Sequence, residues 1–277
     1  MRLMRAAVLG SPIAHSLSPV LHRAAYRALG LAGHRYDRFE VDEAGLPGFL
    51  ADLDVAGGHW SGLSLTMPLK RAVIPLLDEV SPRALAVDAV NTVLFHRDGR
   101  RTGDNTDVPG LVAALAERGV TEVESAAVLG AGATASSALA ALAEVCTGAV
   151  TAYVRGPERA AQMAALGERL GIEVTAVPWE RAAEAFATPL VISTTPVGAT
   201  DALAGLVPDA PGALFDVLYH PWPTELAAAW SARGGVVLGG LDLLVHQAVL
   251  QCEMFTGIGP APLAAMRAAG EAALAVG

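Results

Sequence analysis

The stretch VLGAGATASSALAAL, residues 128–142, contains the pattern G-x-G-x-x-A at Gly130, Gly132 and Ala135. An apolar run precedes Gly130 and an alanine-rich run follows it, which is typical of a strand, a tight turn and a helix. The first glycine permits the turn, the second permits close approach of a pyrophosphate, and the alanine permits packing of the helix on the strand. Free N–H groups at the helix start would bind the phosphates. The pattern predicts a dinucleotide-binding unit, and the alternative is a βα turn without a ligand.

The end of the next strand bears on which dinucleotide is bound. The strand AVTAYV, residues 149–154, runs into Arg155, and Arg159 follows four residues later. An acidic side chain at this position binds the ribose hydroxyls of NAD, whereas an arginine accommodates the 2′-phosphate of NADP. The two arginines favour NADP, although Glu158 favours NAD and both arginines could be solvated loop charges.

Short apolar runs alternate with helical stretches along the rest of the chain, which predicts βα units and a mostly parallel sheet. A first series without a glycine fingerprint starts at the strand 5–10 and ends in a hairpin that turns at Asp98–Gly99. A second series begins near residue 108 and contains the dinucleotide pattern. Two α/β domains are therefore predicted, and counting strands does not decide which of them contains the last two helices.

The composition limits the class of protein. The chain has 277 residues and a formal net charge of −9, which argues against non-specific nucleic-acid binding. Cys146 and Cys252 form neither a metal motif nor a disulfide framework, as expected in a reducing compartment. The first residues are interpreted as a strand rather than a signal peptide, and no apolar run reaches 18 residues. These features predict a soluble cytoplasmic protein without nucleic-acid, membrane or metal partners, and they leave open a homodimer.

The stretch SLTMPLKR, residues 64–71, contains Lys70, the only lysine among the 19 basic residues. Arginine stays protonated near neutral pH, whereas a lysine can exchange a proton when its pKa is lowered. Lys70 also follows Pro68 in the first turn of a predicted helix, where the helix dipole disfavours a cation. We therefore predict that Lys70 transfers a proton and that a carboxylate such as Asp107 holds it. The alternative is an ordinary surface lysine.

Polar side chains follow several predicted strands, at the sheet edge where open α/β proteins bind ligands. We expect them to line a cleft between the two domains. Ser16 and Ser18 are two residues apart beside a helix start, which indicates a site for a small carboxylate. The alternative for Ser18 is that it only caps its helix. The other members of the set are Ser11, Thr66, Asn91, Asn105, Thr106, Asp107, Thr194, Thr195, Tyr219 and His220.

These motifs together resemble those of shikimate dehydrogenase. GSPIAHSLSP (10–19) is similar to that family's G-x-P-I-x-H-S-x-S-P, and SLTMPLK (64–70) is similar to N-V-T-x-P-x-K, with Ser64 in place of asparagine. GAGATA (130–135) resembles G-A-G-G-A-A, and only Arg155 matches the N-R-T cofactor motif. Further matches are AVNT (89–92), GDNTD (103–107), STTPVG (193–198), VLYHPWPT (217–224) and GGLDLLVHQ (239–247). The resemblance covers essentially the whole chain.

The resemblance implies a substrate-binding domain, residues 1–107 completed by 240–277, and a Rossmann-type NADP-binding domain, residues 108–239. It implies reversible NADPH-dependent reduction of 3-dehydroshikimate to shikimate, a step toward chorismate and the aromatic amino acids. The alternatives are a quinate/shikimate dehydrogenase that prefers NAD and a non-catalytic dinucleotide-binding sensor, which should lack the lysine–aspartate pair.

The resemblance also implies roles for individual residues. Lys70 would be the general acid/base and Asp107 its partner. The substrate would be bound by Ser16, Ser18, Thr66, Asn91, Tyr219 and Gln247. The cofactor would be bound by Gly130, Ala131, Gly132, Ala133, Thr134, Arg155, Arg159, Thr195, Val217 and Gly240.

Overall fold

The computed structural model describes residues 4–53 and 57–275. The chain divides into two compact units. Unit 1 comprises Met1–Asp107 and Leu244–Gly277, and unit 2 comprises Val108–Leu243. Each unit contains a six-stranded sheet with helices, so the predicted α/β class is confirmed.

Strands and helices alternate along most of the chain. The strands are β1 Arg5–Gly10, β2 Arg35–Glu40, β3 Trp60–Leu65, β4 Glu79–Val80, β5 Thr92–Phe95, β6 Arg101–Asp104, β7 Ala126–Leu129, β8 Val150–Val154, β9 Val174–Pro178, β10 Leu190–Ser193, β11 Ala213–Asp216 and β12 Val236–Leu238. The helices are α1 Ser18–Ala28, α2 Leu46–Asp52, α3 Leu69–Ala72, α4 Pro82–Val87, α5 Asp107–Glu117, α6 Ala133–Val145, α7 Pro157–Leu170, α8 Glu225–Ala232, α9 Gly240–Thr256 and α10 Leu263–Leu274. Short 3₁₀ helices occupy Ile74–Leu76, Trp179–Ala187 and Asp201–Leu206.

The sheet of unit 1 is mixed rather than mostly parallel, with the order β2-β1-β3-β5-β6-β4. Strand β1 runs parallel to β2 and β3, but β5 is antiparallel to both β3 and β6. The cause is the predicted hairpin, which is present and has Gly99 at φ +88° in its turn. A short turn can join only antiparallel strands, because a parallel neighbour requires a long crossover.

In unit 2 every strand pair is parallel, and the strand order is β12-β11-β10-β7-β8-β9. Counted from β7 as the first strand, this is the 3-2-1-4-5-6 order of the dinucleotide-binding Rossmann fold, read from its other edge. The order reverses between β7 and β10, and the G-x-G-x-x-A turn directly follows β7. The predicted Rossmann-type unit is therefore confirmed, with its glycine turn at the switch point.

Helix α9 lies directly against the sheet of unit 1. A Cβ atom on Gly62 of β3 would stand 2.4 Å from the Phe255 ring on α9 and 2.3 Å from the Val93 carbonyl oxygen. Only a glycine at position 62 permits this approach, which brings the buried face of α9 next to β3 and β5. Helix α10 packs on α1 in the same unit. None of the helices described in residues 4–53 and 57–275 combines the length and apolar character that a membrane crossing needs.

Candidate functional site

Lys70 and Asp107 form a close ion pair in unit 1. The Lys70 Nζ donates to Asp107 Oδ2 at 2.6 Å, and the two side chains are 15% and 8% exposed. Lys70 lies on the four-residue helix α3, which starts after Pro68, and its carbonyl oxygen accepts from the Val90 N–H at 2.8 Å. Because little water reaches these two charges, their attraction is screened less than that of an ion pair on the surface. The ordinary surface lysine considered from the sequence is therefore excluded.

The second carboxylate oxygen of Asp107 is also occupied. Asn91 Nδ2 donates to Asp107 Oδ1 at 2.8 Å, and Asn105 Oδ1 accepts the Asp107 N–H at 2.9 Å. Asp107 is the first residue of α5, where the helix dipole favours a negative charge. Each oxygen of the carboxylate thus has its own donor. These bonds hold the carboxylate in one orientation and so fix the position of Lys70 Nζ.

Asn91 and Gln247 lie beside this pair. The Asn91 amide is oriented by the Thr106 N–H, which donates to Asn91 Oδ1 at 2.8 Å, and Asn91 Nδ2 donates to Thr106 Oγ1 as well as to Asp107. Thr106 Oγ1 also lies 3.4 Å from Gln247 Oε1. Thr106 thereby links Gln247 to Asn91, Asp107 and Lys70. The structure brings these four predicted site residues together although they come from different elements of unit 1.

The segment between β1 and α1 that contains Ser11 and Ser16, here called the serine loop, differs from the sequence analysis at its junction with α1. Ser18 is the first residue of α1 rather than its N-cap; the N-cap is Leu17, which makes no side-chain hydrogen bond. The alternative in which Ser18 caps α1 is therefore wrong, because the helix starts one residue earlier than that alternative requires, with Pro19 near its start. The Ser18 N–H donates to Ser16 Oγ at 3.3 Å, so both serines do lie at the helix start. The two hydroxyl groups can donate to a carboxylate, and the start of a helix favours a negative charge.

Thr66 lies next to the strand that leads into the serine loop. The Thr66 N–H donates to the Leu9 carbonyl oxygen at 3.0 Å, and the Ser11 N–H donates to the Met67 carbonyl oxygen at 3.0 Å. A Cβ on Gly10 would stand 2.4 Å from Thr66 Cγ2. The carboxyl ends of β1 and β3 therefore place Thr66 against the start of the serine loop.

The glycine loop of unit 2 is open where a pyrophosphate would approach. Gly130 has φ +111°, and a Cβ there would stand 2.6 Å from Thr194 Oγ1, so the turn requires glycine. Gly132 is the N-cap of α6, and a Cβ at this position would meet no atom within 4 Å, whereas Ala135 is fully buried. Around this helix start Gly132 is exposed, and the partly exposed residues are Gly130, Ala131, Ala133 and Thr134. The loop therefore fits a dinucleotide phosphate group.

The two arginines of unit 2 lie near this loop in different ways. The Arg155 guanidinium stands 5.2 Å from the ring centroid of Trp179, a cation–π contact that holds it at the strand tip. Arg159 donates from Nη1 to the Ala131 carbonyl oxygen at 3.3 Å and to Gln162 Oε1 at 3.1 Å. Both are therefore partly ordered by protein contacts rather than being free loop charges. The contribution of Trp179 was missed, because nothing in the sequence pairs it with Arg155.

Three other predicted cofactor residues are neighbours in unit 2. The Val217 N–H donates to the Ser193 carbonyl oxygen at 3.0 Å, and Thr195 Oγ1 lies 3.3 Å from Ser193 Oγ. A Cβ on Gly240 would stand 2.1 Å from the Val217 carbonyl oxygen, so α9 must begin with glycine to pass this close. Tyr219 follows β11, and burial raises the pKa of its hydroxyl, which keeps it protonated as a hydrogen-bond donor.

Sequence reasoning missed a set of buried polar side chains in the same unit as the Lys70–Asp107 pair. Gln251 and Tyr36 are both buried, and Tyr36 stacks on the buried His22 ring with centroids 4.0 Å apart. Burial lowers the pKa of His22 to about 3, and the nearby Gln251 amide opposes this only in part. Neither His22 nitrogen has a hydrogen-bond partner within 3.5 Å among the described residues. Across that same part of the chain, no group of three or more metal-ligating side chains occurs.

Comparison with known proteins shows similarity along nearly the full length. A family described as shikimate dehydrogenase substrate binding domain matches residues 8–93, and one described as Shikimate 5'-dehydrogenase C-terminal domain matches residues 240–269. The Thermus thermophilus protein named shikimate dehydrogenase (NADP(+)) is 39% identical over 94% of this chain and 95% of its own length. A crystal structure from the same organism, with NADP(H) and shikimate, has a TM-score of 0.83 at 37% identity, covering 98% of this chain and 100% of that one.

Two other solved structures extend this similarity. Shikimate dehydrogenase from Mycobacterium tuberculosis is 42% identical with a TM-score of 0.88, covering 98% of this chain and 99% of that one. Quinate dehydrogenase from Corynebacterium glutamicum, solved with NAD, is 28% identical with a TM-score of 0.87, covering 98% and 100%. The resemblance inferred from the motifs is thus confirmed by whole-length matches in sequence and in structure. The chain belongs to the shikimate dehydrogenase family.

Proposed function

We propose that the protein catalyses the reversible, NADP-linked reduction of 3-dehydroshikimate to shikimate. The observation that carries this proposal is the buried Lys70–Asp107 pair at 2.6 Å, set among polar groups in a chain of this family. A non-catalytic sensor would have no need to keep the chain's single lysine in such a place. For this reaction, the family resemblance implies a role in the cytoplasmic synthesis of chorismate and the aromatic amino acids.

The proposed chemistry assigns one proton to Lys70. The bound dinucleotide would supply the hydride to the carbonyl carbon of the substrate. Lys70 Nζ would give a proton to the oxygen that becomes an alkoxide, and in the reverse direction it would take that proton from the hydroxyl group. Asp107 would hold the Nζ group at a fixed distance, since its other oxygen is anchored by Asn91. The lysine would then regain its proton from solvent.

The other site residues would orient the substrate. Ser16 and Ser18 at the start of α1 would bind the carboxylate, because their hydroxyl groups can donate to an anion and the helix dipole favours a negative charge there. Polar contacts to the substrate hydroxyl groups would fix the orientation of the reacting carbon, which contributes much of the rate of a bimolecular reaction. These hydroxyl groups would be bound by Thr66, Asn91, Tyr219 and Gln247.

Residues of unit 2 would hold the cofactor. The N–H groups at the start of α6 would bind the pyrophosphate beside Gly130, Ala131, Gly132, Ala133 and Thr134. Arg155 and Arg159 would bind the 2′-phosphate, and the remaining contacts would come from Thr195, Val217 and Gly240. The similar Thermus thermophilus enzyme supports this assignment, since its name includes NADP(+) and the crystal structure contains NADP(H).

The direct test is to measure absorbance at the NADPH band when the protein is mixed with shikimate or quinate and with NADP or NAD. We expect the highest kcat/KM with shikimate and NADP. The second candidate, a quinate/shikimate dehydrogenase that prefers NAD, is favoured by Glu158 in the first turn of α7 and by the fold shared with the NAD-bound quinate dehydrogenase. A higher kcat/KM with NAD would support that candidate, and no turnover in all four mixtures would refute both.

Replacing Arg155 by glutamine is expected to raise the KM for NADP about tenfold or more, while the KM for NAD changes little. The reason is that a hydrogen bond to a charged group is worth about 1.5–3 kcal/mol, and NAD lacks the 2′-phosphate. Arg181→Gln is a matched control, because Arg181 is an exposed arginine of unit 2 that pairs with Glu184. Equal loss with both dinucleotides would show that Arg155 does not contact the 2′-phosphate.

A further inference from the structure

We infer that Gln251 is a positioning residue for the proton-transfer pair, acting through Thr92 and Asn91 on Asp107. This inference rests on the proposed role of Lys70 and Asp107. The side chains concerned are here called the polar network, and its members are Tyr36, Ser64, Gln251, Thr92, Asn91 and Asp107.

Gln251 lies at the centre of the polar network and is only 1% exposed. Its Oε1 accepts from Ser64 Oγ at 2.6 Å. Its Nε2 donates to the Asn91 carbonyl oxygen at 3.0 Å and to Thr92 Oγ1 at 2.9 Å. A side chain on α9 thus ties together strands β3 and β5, and both of its N–H groups are directed at the segment that carries Asn91.

The contacts of Gln251 fix the direction of the next hydrogen bonds. Thr92 Oγ1 is buried and accepts from Gln251, so its single proton is directed to Asn91 Oδ1 at 2.8 Å. Asn91 Oδ1 then serves as an acceptor, together with its bond from the Thr106 N–H, and Nδ2 is left to donate to Asp107 Oδ1. The order of donors therefore runs from Gln251 through Thr92 and Asn91 to the carboxylate that holds Lys70.

At the other end of the polar network, the direction of hydrogen-bond donation is also fixed. The Tyr36 hydroxyl donates to Ser64 Oγ at 2.6 Å, which directs the Ser64 proton to Gln251 Oε1. Burial raises the pKa of Tyr36, and the His22 ring stacked on it stays neutral because burial lowers its pKa. Neither aromatic group changes charge near neutral pH, so the direction of the polar network does not change there.

The geometry makes Gln251 different from a residue that only fills space. Buried polar networks are strong when every member is satisfied, and removing one donor leaves its acceptors free to turn. Without Gln251 Nε2, the Thr92 hydroxyl can point elsewhere and the Asn91 side chain loses one of the contacts that orient it. The consequence is a small displacement of Asp107 and of Lys70 Nζ, the group proposed to meet the substrate oxygen.

The test is the variant Gln251→Met, which keeps the length of the side chain and removes its hydrogen bonds. We expect kcat to fall about tenfold, since a displacement of a fraction of an ångström is costly in proton transfer, with the KM for shikimate changed less than about threefold. The solvent deuterium isotope effect on kcat should rise, because proton transfer becomes slower relative to the other steps. A simple loss of folded enzyme would lower kcat but leave the isotope effect unchanged.

Thr92 provides a second variant at the next link. Thr92→Val should reproduce the kinetic changes of Gln251→Met, and Thr92→Ser, which keeps the hydroxyl group, should restore kcat and the isotope effect. The double variant Gln251→Met with Thr92→Val should be little worse than either alone, because both break the same link. Cys252→Ala is the control for packing, since Cys252 is fully buried on the same helix outside the polar network. We expect it to change the melting temperature but not the isotope effect.

Lys70→Ala, measured in parallel, separates this inference from the proposed function. Loss of turnover in Lys70→Ala with wild-type kcat and isotope effect in both Gln251→Met and Thr92→Val would overturn the role of Gln251 alone. Retained turnover in Lys70→Ala would overturn the role of Lys70 and the inference that rests on it, whereas absence of turnover in the unsubstituted protein would overturn the proposed function. If Gln251→Met does not fold, the Thr92 variants decide the question by the same measurements.

Discussion

Replacing Lys70 by alanine is expected to lower kcat for shikimate oxidation by about 10² or more, the usual contribution of a positioned general acid or base. The affinity for NADP should not change, because the predicted cofactor residues lie on other elements, in unit 2. Turnover is followed at the NADPH absorbance band with saturating shikimate. Binding of NADP is measured separately by calorimetry.

The variant Lys70→Arg separates charge from proton transfer. Arginine keeps the positive charge and can bond Asp107 through its planar fork, but it does not release a proton near neutral pH. We therefore expect Lys70→Arg to bind NADP and to be nearly as slow as Lys70→Ala. Arg71→Ala is the matched control on α3, because Arg71 is an exposed neighbour that pairs with Asp88. If Lys70→Arg kept most of the turnover, Lys70 would act only through its charge.

The features predicted most accurately from the sequence are those set by local chemistry. The G-x-G-x-x-A stretch specifies a positive φ at Gly130 and a helix that starts at Ala133, so the turn, its glycines and the Rossmann-type order around it follow from a few adjacent residues. The hairpin at Gly99 was predictable for the same reason. Its consequence, a mixed sheet in unit 1, was not predicted, because the pairing of β5 with β3 joins segments far apart in the sequence.

The site itself was predictable in part. The single lysine and the repeated placement of polar residues after strands indicated Lys70, Asn91 and Asp107, which the structure brings together. Gln251 was missed because its contacts are with residues about 160 to 190 positions away. One indication was available: Gln251 follows Gln247 by four residues in a helical stretch, which places both on one helix face. A glutamine in an apolar stretch carries no sign of which acceptor it meets, so its role required the structure.

Replacing Asp107 by asparagine is expected to lower kcat by about 10² as well, but for a different reason. Asparagine keeps the shape of the side chain. The aspartate has two oxygens, which accept from Lys70 at 2.6 Å and from Asn91 at 2.8 Å, whereas asparagine has one oxygen and one NH2 group. In either orientation of the new amide, one of these donors faces another donor. An ammonium group left without its counter-charge at a site this poorly exposed is destabilising by about 3–5 kcal/mol, so the melting temperature should fall too.

A compensating change at Asn91 separates the hydrogen bonds from the charge. In the double variant Asp107→Asn with Asn91→Asp, the new amide can donate to the carboxylate at 91 while its oxygen accepts from Lys70. The carboxylate at 91 still accepts from the Thr106 N–H, as the Asn91 oxygen does now. Lys70 Nζ and the new amide N–H that faces position 91 then each have an acceptor again, but the negative charge lies one side chain further from Lys70.

We expect this double variant to recover much of the melting temperature and little of the turnover. Attraction between opposite charges falls with distance, and Lys70 must be held beside a charge to meet the substrate oxygen in a fixed place. Both quantities are measured on the same preparation, by thermal unfolding and by the NADPH assay. Recovery of turnover together with stability would show that Asp107 acts only as a hydrogen-bond acceptor, and that its negative charge next to Lys70 is not required.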